Sequence, residues 1–226
     1  MNLEQLKEQA ALAALGEVTD GMCLGLGTGS TVYWFLKHLG ERLATGQLSR
    51  IRGVPTSERT RALCGEFSIP LISLEDTESL DLAVDGADEI DPAMRLIKGM
   101  GGALLREKMV ASAAKRVIII ADQTKRVERL GTRSPLPVEV LVFSWRSHLK
   151  PLQRLGCQPE LRTTCTEPLY TDNGNVILDC HFSGGIDDPE GLDRVLNDRP
   201  GVVGHGMFLG LCDRAILATE SGLQEI

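Results

Sequence analysis

Aromatic side chains are scarce in this 226-residue chain, where Phe, Trp and Tyr together make up 4%. The core must therefore be built from Leu, Ile, Val and Ala, with little left for stacking on nucleic-acid bases or a sugar face. Basic charge is not in excess: 24 Lys+Arg against 31 Asp+Glu give a formal net charge of −7. Nucleic-acid binders carry a basic patch or stripe, so that balance argues against a polyanion partner. No run of about 18 apolar residues exists, which excludes a membrane-spanning helix. The N-terminal stretch carries Glu4 and Glu8 where a secretory signal needs positive charge followed by an apolar segment. The expectation is a soluble, cytoplasmic protein with no nucleic-acid and no membrane partner. Six cysteines (23, 64, 157, 165, 180 and 212) form no C-x-x-C pair, and the four histidines lie far apart. Neither set has the spacing of a zinc site or a disulfide framework, so buried or half-buried thiols in a reducing compartment are expected, and no metal.

The first two-thirds of the chain alternate short apolar runs with helical patterns. Helical stripes cover Leu3 to Leu15, Ser30 to Leu43, Ser57 to Glu66 and Ala103 to Ala114. Strand-like runs cover Met22 to Leu26, Ile51 to Val54, Leu71 to Leu74, Leu80 to Val84 and Arg95 to Ile97. Val117 to Ala121 (VIIIA) is the most apolar run and reads as a strand buried on both faces. This alternation predicts an α/β fold: a Rossmann-like, mostly parallel sheet with helices on both faces.

After Gly131 the pattern becomes strand (Leu136 to Val142), helix (Ser144 to Leu155), two strand-like runs around Thr171-Asp-Asn-Gly-Asn175, helix (Asp188 to Asn197) and strand (Gly201 to His205). The Asn-Gly turn is a hairpin signal. The β-α-β-β-α-β order is that of a smaller α+β ferredoxin-like domain. The boundaries read from sequence are 1–130 with 206–226 for the α/β domain, to which Arg214 to Thr219 returns as a strand, and 131–205 for the inserted one.

Ligands of open parallel sheets bind beyond the carboxyl ends of the strands, and four unusual segments fall at such ends. Gly25-Leu-Gly-Thr-Gly-Ser-Thr31 joins a strand to a helix: its glycines admit an anion close to backbone N–H groups, and the helix N-terminus adds unpaired donors. It is neither a P-loop nor a full G-x-G-x-x-G, because Val32 stands three after Gly29, so it suits a phosphate monoester better than a nucleotide. A tight turn capped by Ser30 would explain it equally well. Asp85-Gly-Ala-Asp88-Glu89-Ile-Asp91 carries four carboxylates in seven residues without the ligand ladder of a calcium loop, and by itself it also reads as a solvated acidic turn. Lys98-Gly-Met-Gly-Gly leads into a helix carrying Glu107 in its early turns, and such a glycine run loses entropy without return unless backbone must lie close to something. Lys125 follows the most buried strand. Phosphate donors, carboxylates and lysines at one sheet edge, with no metal or redox-cofactor motif, suit proton transfer beside a carbonyl on a phosphorylated metabolite.

These blocks give the chain a close resemblance to the A-type ribose-5-phosphate isomerases: GLGTGST at 25–31, VPTSERT at 54–60, DGADEID at 85–91, KGMGGALLREK at 98–108, IADQTK at 120–125, LPVEV at 136–140 and TDNGN at 171–175, in the family's order and spacing. The resemblance implies interconversion of D-ribose 5-phosphate and D-ribulose 5-phosphate through an enediolate, without metal or organic cofactor, by a homodimer or homotetramer. It implies that Glu107 is the base moving a proton between C2 and C1. Asp85 and Asp88 would assist ring opening and hydroxyl-proton transfer, and Lys98 would hold enediolate charge. Substrate contacts would come from Thr28, Gly29, Ser30, Thr31, Gly86, Ala87, Gly99, Met100, Gly101, Lys125 and Lys7. Met100 stands at a variable position where some members have glycine.

Three other functions are compatible with parts of this pattern. A non-catalytic sugar-phosphate sensor would need a DNA-binding extension, and only one helix precedes Met22. A nucleotide or coenzyme-A transferase would carry a UV-absorbing ligand. An isomerase for another phosphorylated aldose would share the same residues.

Overall fold

A computed structural model describes residues 2–226 and divides into two compact units. The first comprises residues up to Ala87, Arg106–Lys125 and Gly210–Ile226. Its six-stranded sheet has the order Gly222–Glu225, Arg214–Thr219, Val117–Asp122, Leu82–Asp85, Cys23–Leu26, Arg52–Pro55. Every neighbouring pair is parallel except the polar edge strand Gly222–Glu225, which sequence reading missed. Val117–Asp122 is buried along its whole length between two parallel neighbours, as its apolar run requires. Alternate residues Leu24, Leu26, Leu82, Val84, Ile118, Ile120, Ile216 and Ala218 share one core with the helices Leu3–Leu15 and Ser30–Ala44. On the opposite face a Cβ at Gly25 would meet Val110 of the helix Leu104–Ser112 at 2.5 Å, so absence of a side chain lets that helix lie close. Helices thus cover both faces, as expected.

The second unit comprises Asp88–Leu105 and Arg126–Leu209. Its four-stranded antiparallel sheet has the order Val202–His205, Leu136–Val140, Val176–Phe182, Cys157–Leu161, with helices Leu149–Arg154 and Pro189–Asn197 in the connections. That is the ferredoxin-like arrangement. Asp188 caps the second helix by accepting from Gly191 N–H.

Several sequence expectations are corrected. The units cut the chain differently from 131–205, because Glu89–Ile90, Leu96–Ile97 and Met207–Phe208 form a three-stranded sheet of their own, and Ile97, Val127, Leu130 and Met207 join the second unit's core. Leu71–Leu74 is not a strand: Leu71 makes one bridge to Gly53, and Ser73 then caps a 3₁₀ turn, Leu74–Asp76. The helix expected over 144–155 is a 3₁₀ turn, Trp145–His148, running into Leu149–Arg154, with Ser144 left-handed at φ 55° before it. The Asn-Gly turn forms, with Thr171 N–H donating to Asn175 C=O, but a single bridge, Tyr170 to Val176, closes it. Val176–Phe182 instead pairs with Cys157–Leu161 across a small ribbon of Thr163–Thr164 with Glu167–Pro168.

All six cysteines are free thiols, and Cys165 is exposed, contrary to expectation. Burial pushes the fully buried Cys64 thiol up to about 12. A colorimetric thiol titration of native protein at pH 8 should show fast reaction at Cys165, slower reaction at Cys212, and none at Cys64 until denaturant is added. Equal rates at Cys64 and Cys165 would contradict this packing.

Candidate active site

Within the first unit, parallel strands bring four chain segments to one carboxyl edge. Cys23–Leu26 delivers the glycine loop and Arg52–Pro55 delivers Thr56 and Ser57. Leu82–Asp85 ends on Asp85, and Val117–Asp122 leads to Lys125 through the 3₁₀ turn Gln123–Lys125. Asp85 is buried, and its Oδ1 accepts from Gly86 N–H at 2.7 Å and Thr28 N–H at 3.1 Å. A Cβ on Gly27 would stand 2.2 Å from the Asp85 carboxyl carbon, so only glycine allows the loop to close on this carboxylate.

The Thr28 hydroxyl sits in a cluster. It donates to Ser57 Oγ at 2.8 Å and lies 2.8 Å from Thr56 Oγ1 and 3.0 Å from Thr60 Oγ1, while Thr60 donates to Gly27 C=O at 2.7 Å. Thr56, Ser57 and Thr60 were not singled out from sequence. Their signal was a T-S-x-x-T spacing directly after a strand. The helix Ser30–Ala44 begins at Gly29, whose φ of 139° belongs to glycine, and no side chain caps it. Ser30 is therefore not the cap that a purely structural turn would use. Ser30 and Gly29 are exposed, Thr28 is half-buried and Thr31 is buried. Open N–H donors at a helix N-terminus suit an anion.

Glu107 is buried in the first turn of Leu104–Ser112. Its neighbour Arg106 bonds Glu58 at 2.8 Å, and that guanidinium holds the Glu58 carboxyl below its ordinary range. Lys125 is half-buried. Lys7 lies on the first helix with its ammonium 2.7 Å from Glu4.

Of the remaining candidates, Gly86 and Ala87 close the first unit's segment, and Asp88 and Lys98 to Gly101 belong to the second unit. Lys98 is buried; its N–H donates to Gly206 C=O at 2.8 Å, and its ammonium stands 5.4 Å from the centre of the Phe208 ring. A Cβ on Gly206 would meet Lys98 C=O at 2.2 Å, which makes Gly206 a second glycine required by close approach. Asp88 accepts from Met100 N–H at 3.0 Å. Gly86, Ala87 and Asp88 are half-buried, Gly99 is buried, and Met100 and Gly101 are exposed.

Two carboxylates of the acidic segment 85–91 are not solvated. Glu89 is fully buried and accepts from the N–H groups of Gly131, Arg133 and Ser134 at 2.6–2.7 Å. Asp91 accepts from Ala93 N–H, Arg95 N–H and the Arg95 side chain. These two carboxylates hold backbone in place. No group of three or more His, Cys, Asp or Glu among the described residues is arranged to hold a metal ion.

Residues 52–222 match the family model of ribose 5-phosphate isomerase A (phosphoriboisomerase A). The chain belongs to the ribose 5-phosphate isomerase A family. It is 53% identical over 221 residues to the ribose-5-phosphate isomerase A of Roseiflexus castenholzii, covering 97% of this chain and 94% of that one. The Bacillus mycoides member is 50% identical over 225 residues, covering 100% and 99%. Among solved structures, a D-ribose-5-phosphate isomerase in complex with phospho-erythronic acid matches with a TM-score of 0.97 at 41% identity, covering 100% of this chain and 99% of that one. The Plasmodium falciparum ribose 5-phosphate isomerase matches with a TM-score of 0.96 at 35% identity, covering 99% and 98%. The family's fold is therefore this chain's fold, and no helix among the described residues is long and apolar enough to cross a membrane.

Substituting Gly27→Ala forces Asp85 or the loop to move. A misplacement of about 1 Å in an enzyme's site can lower turnover by about 10²-fold, and overpacking of this kind destabilises by about 1–3 kcal/mol. Steady-state isomerase assay and thermal melting should show both losses; wild-type values in both would contradict the close approach.

Proposed function

We propose that this family member is a cofactor-independent aldose–ketose isomerase that interconverts D-ribose 5-phosphate and D-ribulose 5-phosphate, with Glu107 as the base. The observation that carries the reading is a carboxylate buried in the first turn of a helix, in the same unit as an uncapped, glycine-opened helix N-terminus. The first is suited to moving a proton away from bulk water, the second to a phosphate monoester.

From aldose to ketose, Glu107 takes the proton from C2, the C–H electron pair forms the C1–C2 double bond, and the C1 carbonyl pair moves onto O1. The O2 hydroxyl proton passes to O1, and Glu107 returns its proton to C1, giving the ketose. One carboxylate serves both half-steps because donor and acceptor carbons are adjacent. Lys98 supplies positive charge for the enediolate, where one well-placed donor contributes about 2.7–4 kcal/mol. Asp85 and Asp88 assist ring opening and carry hydroxyl protons. Thr28 to Thr31, with Lys125 and Lys7, hold the phosphate, and Gly86, Ala87 and Gly99 to Gly101 line the sugar. The complex of a relative with phospho-erythronic acid, a phosphorylated sugar acid, supports this substrate class. A homodimer or homotetramer in the cytoplasm is part of the reading and rests on the family resemblance; light scattering of the purified protein tests the assembly.

Metal-stripped protein should form ketose from ribose 5-phosphate, and no conversion would defeat the cofactor-free reading. Glu107→Gln should reduce kcat by at least about 10²-fold with little change in substrate binding. A variant within tenfold of wild type would show that another group is the base.

A further inference from the structure

One peptide group joins Asp88 to an ion pair outside the residues assigned above. Its N–H, that of Met100, donates to Asp88 Oδ2 at 3.0 Å. Its carbonyl, that of Gly99, accepts from Arg162 Nη1 at 2.7 Å, and the next carbonyl, Met100, accepts from the same nitrogen at 3.2 Å. Arg162 is held in turn by Asp179: Nε donates to Oδ2 at 2.8 Å, and Nη2 donates to Oδ1. The two side chains are 10% and 14% exposed, so the pair is shielded from solvent. Asp179 lies within the strand Val176–Phe182, and Arg162 N–H donates to Ile177 C=O at 2.9 Å, so both ends of the pair are anchored on the antiparallel sheet.

The peptide between Gly99 and Met100 takes one local restraint, Gly102 N–H donating to Gly99 C=O at 3.0 Å, and the rest of its orientation comes from Arg162 and Asp88. Gly99 has φ of 107°, where side-chain-bearing residues are strained, and glycine lowers the barrier to turning the peptide plane against that single turn bond. Turned over, it would present a carbonyl oxygen to the Asp88 carboxylate, acceptor against acceptor. The guanidinium at the oxygen end and the carboxylate at the N–H end both favour the observed orientation, because each meets the pole of the peptide dipole opposite in sign to itself. Only arginine among cations has enough donors in a fixed plane to grip a carboxylate with two bonds while reaching two carbonyls.

We propose that Arg162, fixed by Asp179, is a positioning residue that holds the Gly99–Met100 peptide with its N–H toward Asp88 and thereby orients that carboxylate for hydroxyl-proton transfer. The proposal rests on the role given to Asp88 above.

Arg162→Lys keeps the charge but loses the second bond to Asp179 or the reach to the loop. It should lower kcat/KM at least about tenfold, within the range that a misplaced group produces. Arg162→Met combined with Asp179→Asn removes the pair without stranding a buried charge and should show a loss of the same size. The deciding measurement is the cycle with Asp88→Asn. If Arg162 acts through Asp88, the penalty of Arg162→Lys falls to less than about twofold in that background, whereas a merely structural role gives the same penalty in both backgrounds. A second readout needs no turnover: in ¹⁵N-methionine-labelled protein, the Met100 amide resonance should move in both Arg162→Lys and Asp88→Asn. An unmoved resonance in Arg162→Lys, or equal penalties in both backgrounds, overturns the proposal. Wild-type protein inactive on ribose 5-phosphate defeats the functional reading instead, while the Met100 resonance still reports the linkage. Asp88→Asn with normal turnover removes the role of Asp88 and the positioning proposal with it.

Discussion

Strands that run in one direction must end at one edge, and in the first unit everything chemical follows from that. Once Cys23–Leu26 pairs in parallel with both Arg52–Pro55 and Leu82–Asp85, the three following loops emerge side by side. Thr28, Thr56, Ser57, Thr60 and Asp85 then meet within hydrogen-bonding distance, although they span nearly 60 positions of sequence. Crossovers between parallel strands are right-handed for reasons of chain twist, so this convergence is set by backbone geometry before any side chain is chosen. The side chains then add a requirement of their own: Gly27 must lack a Cβ for Asp85 to accept the loop's amide.

Buried carboxylates show how one composition serves two purposes. Asp85, Asp88, Glu89 and Asp91 crowd a seven-residue stretch, yet each receives different donors. Glu89 collects three backbone N–H groups and Asp91 two with an arginine, which satisfies charges whose burial would otherwise be costly. Asp85 Oδ1 accepts from two loop amides, so this carboxylate holds the glycine loop rather than distant backbone.

Much of the fold was legible because its signals are long. The VIIIA run, bounded by turn signals and rich in β-branched residues, reads as a doubly covered strand, and after Gly131 the element order changes to that of the ferredoxin-like sheet. The strands that escaped notice are short or polar: Glu89–Ile90 and Met207–Phe208 are two residues each, and Gly222–Glu225 is an exposed edge. No periodicity can be read from two residues, and these pairings are held by partners far away in the chain. The same limit moved the division between units away from residues 131–205, since that sheet carries Asp88–Leu105 into the second unit.

At the site, sequence alone determined the kinds of groups: glycines where backbone approaches, carboxylates and lysines at strand ends, a glutamate early in a helix. Composition and spacing suffice for that because they follow local rules of strand, turn and helix start. Tertiary structure decided which carboxylates hold backbone, which hydroxyls join Thr28, and which arginine grips the loop beside Asp88. Those choices depend on donors brought from distant segments. Arg162 lies 62 residues from Met100 and touches it because it directly follows the strand Cys157–Leu161, whose antiparallel partner carries Asp179.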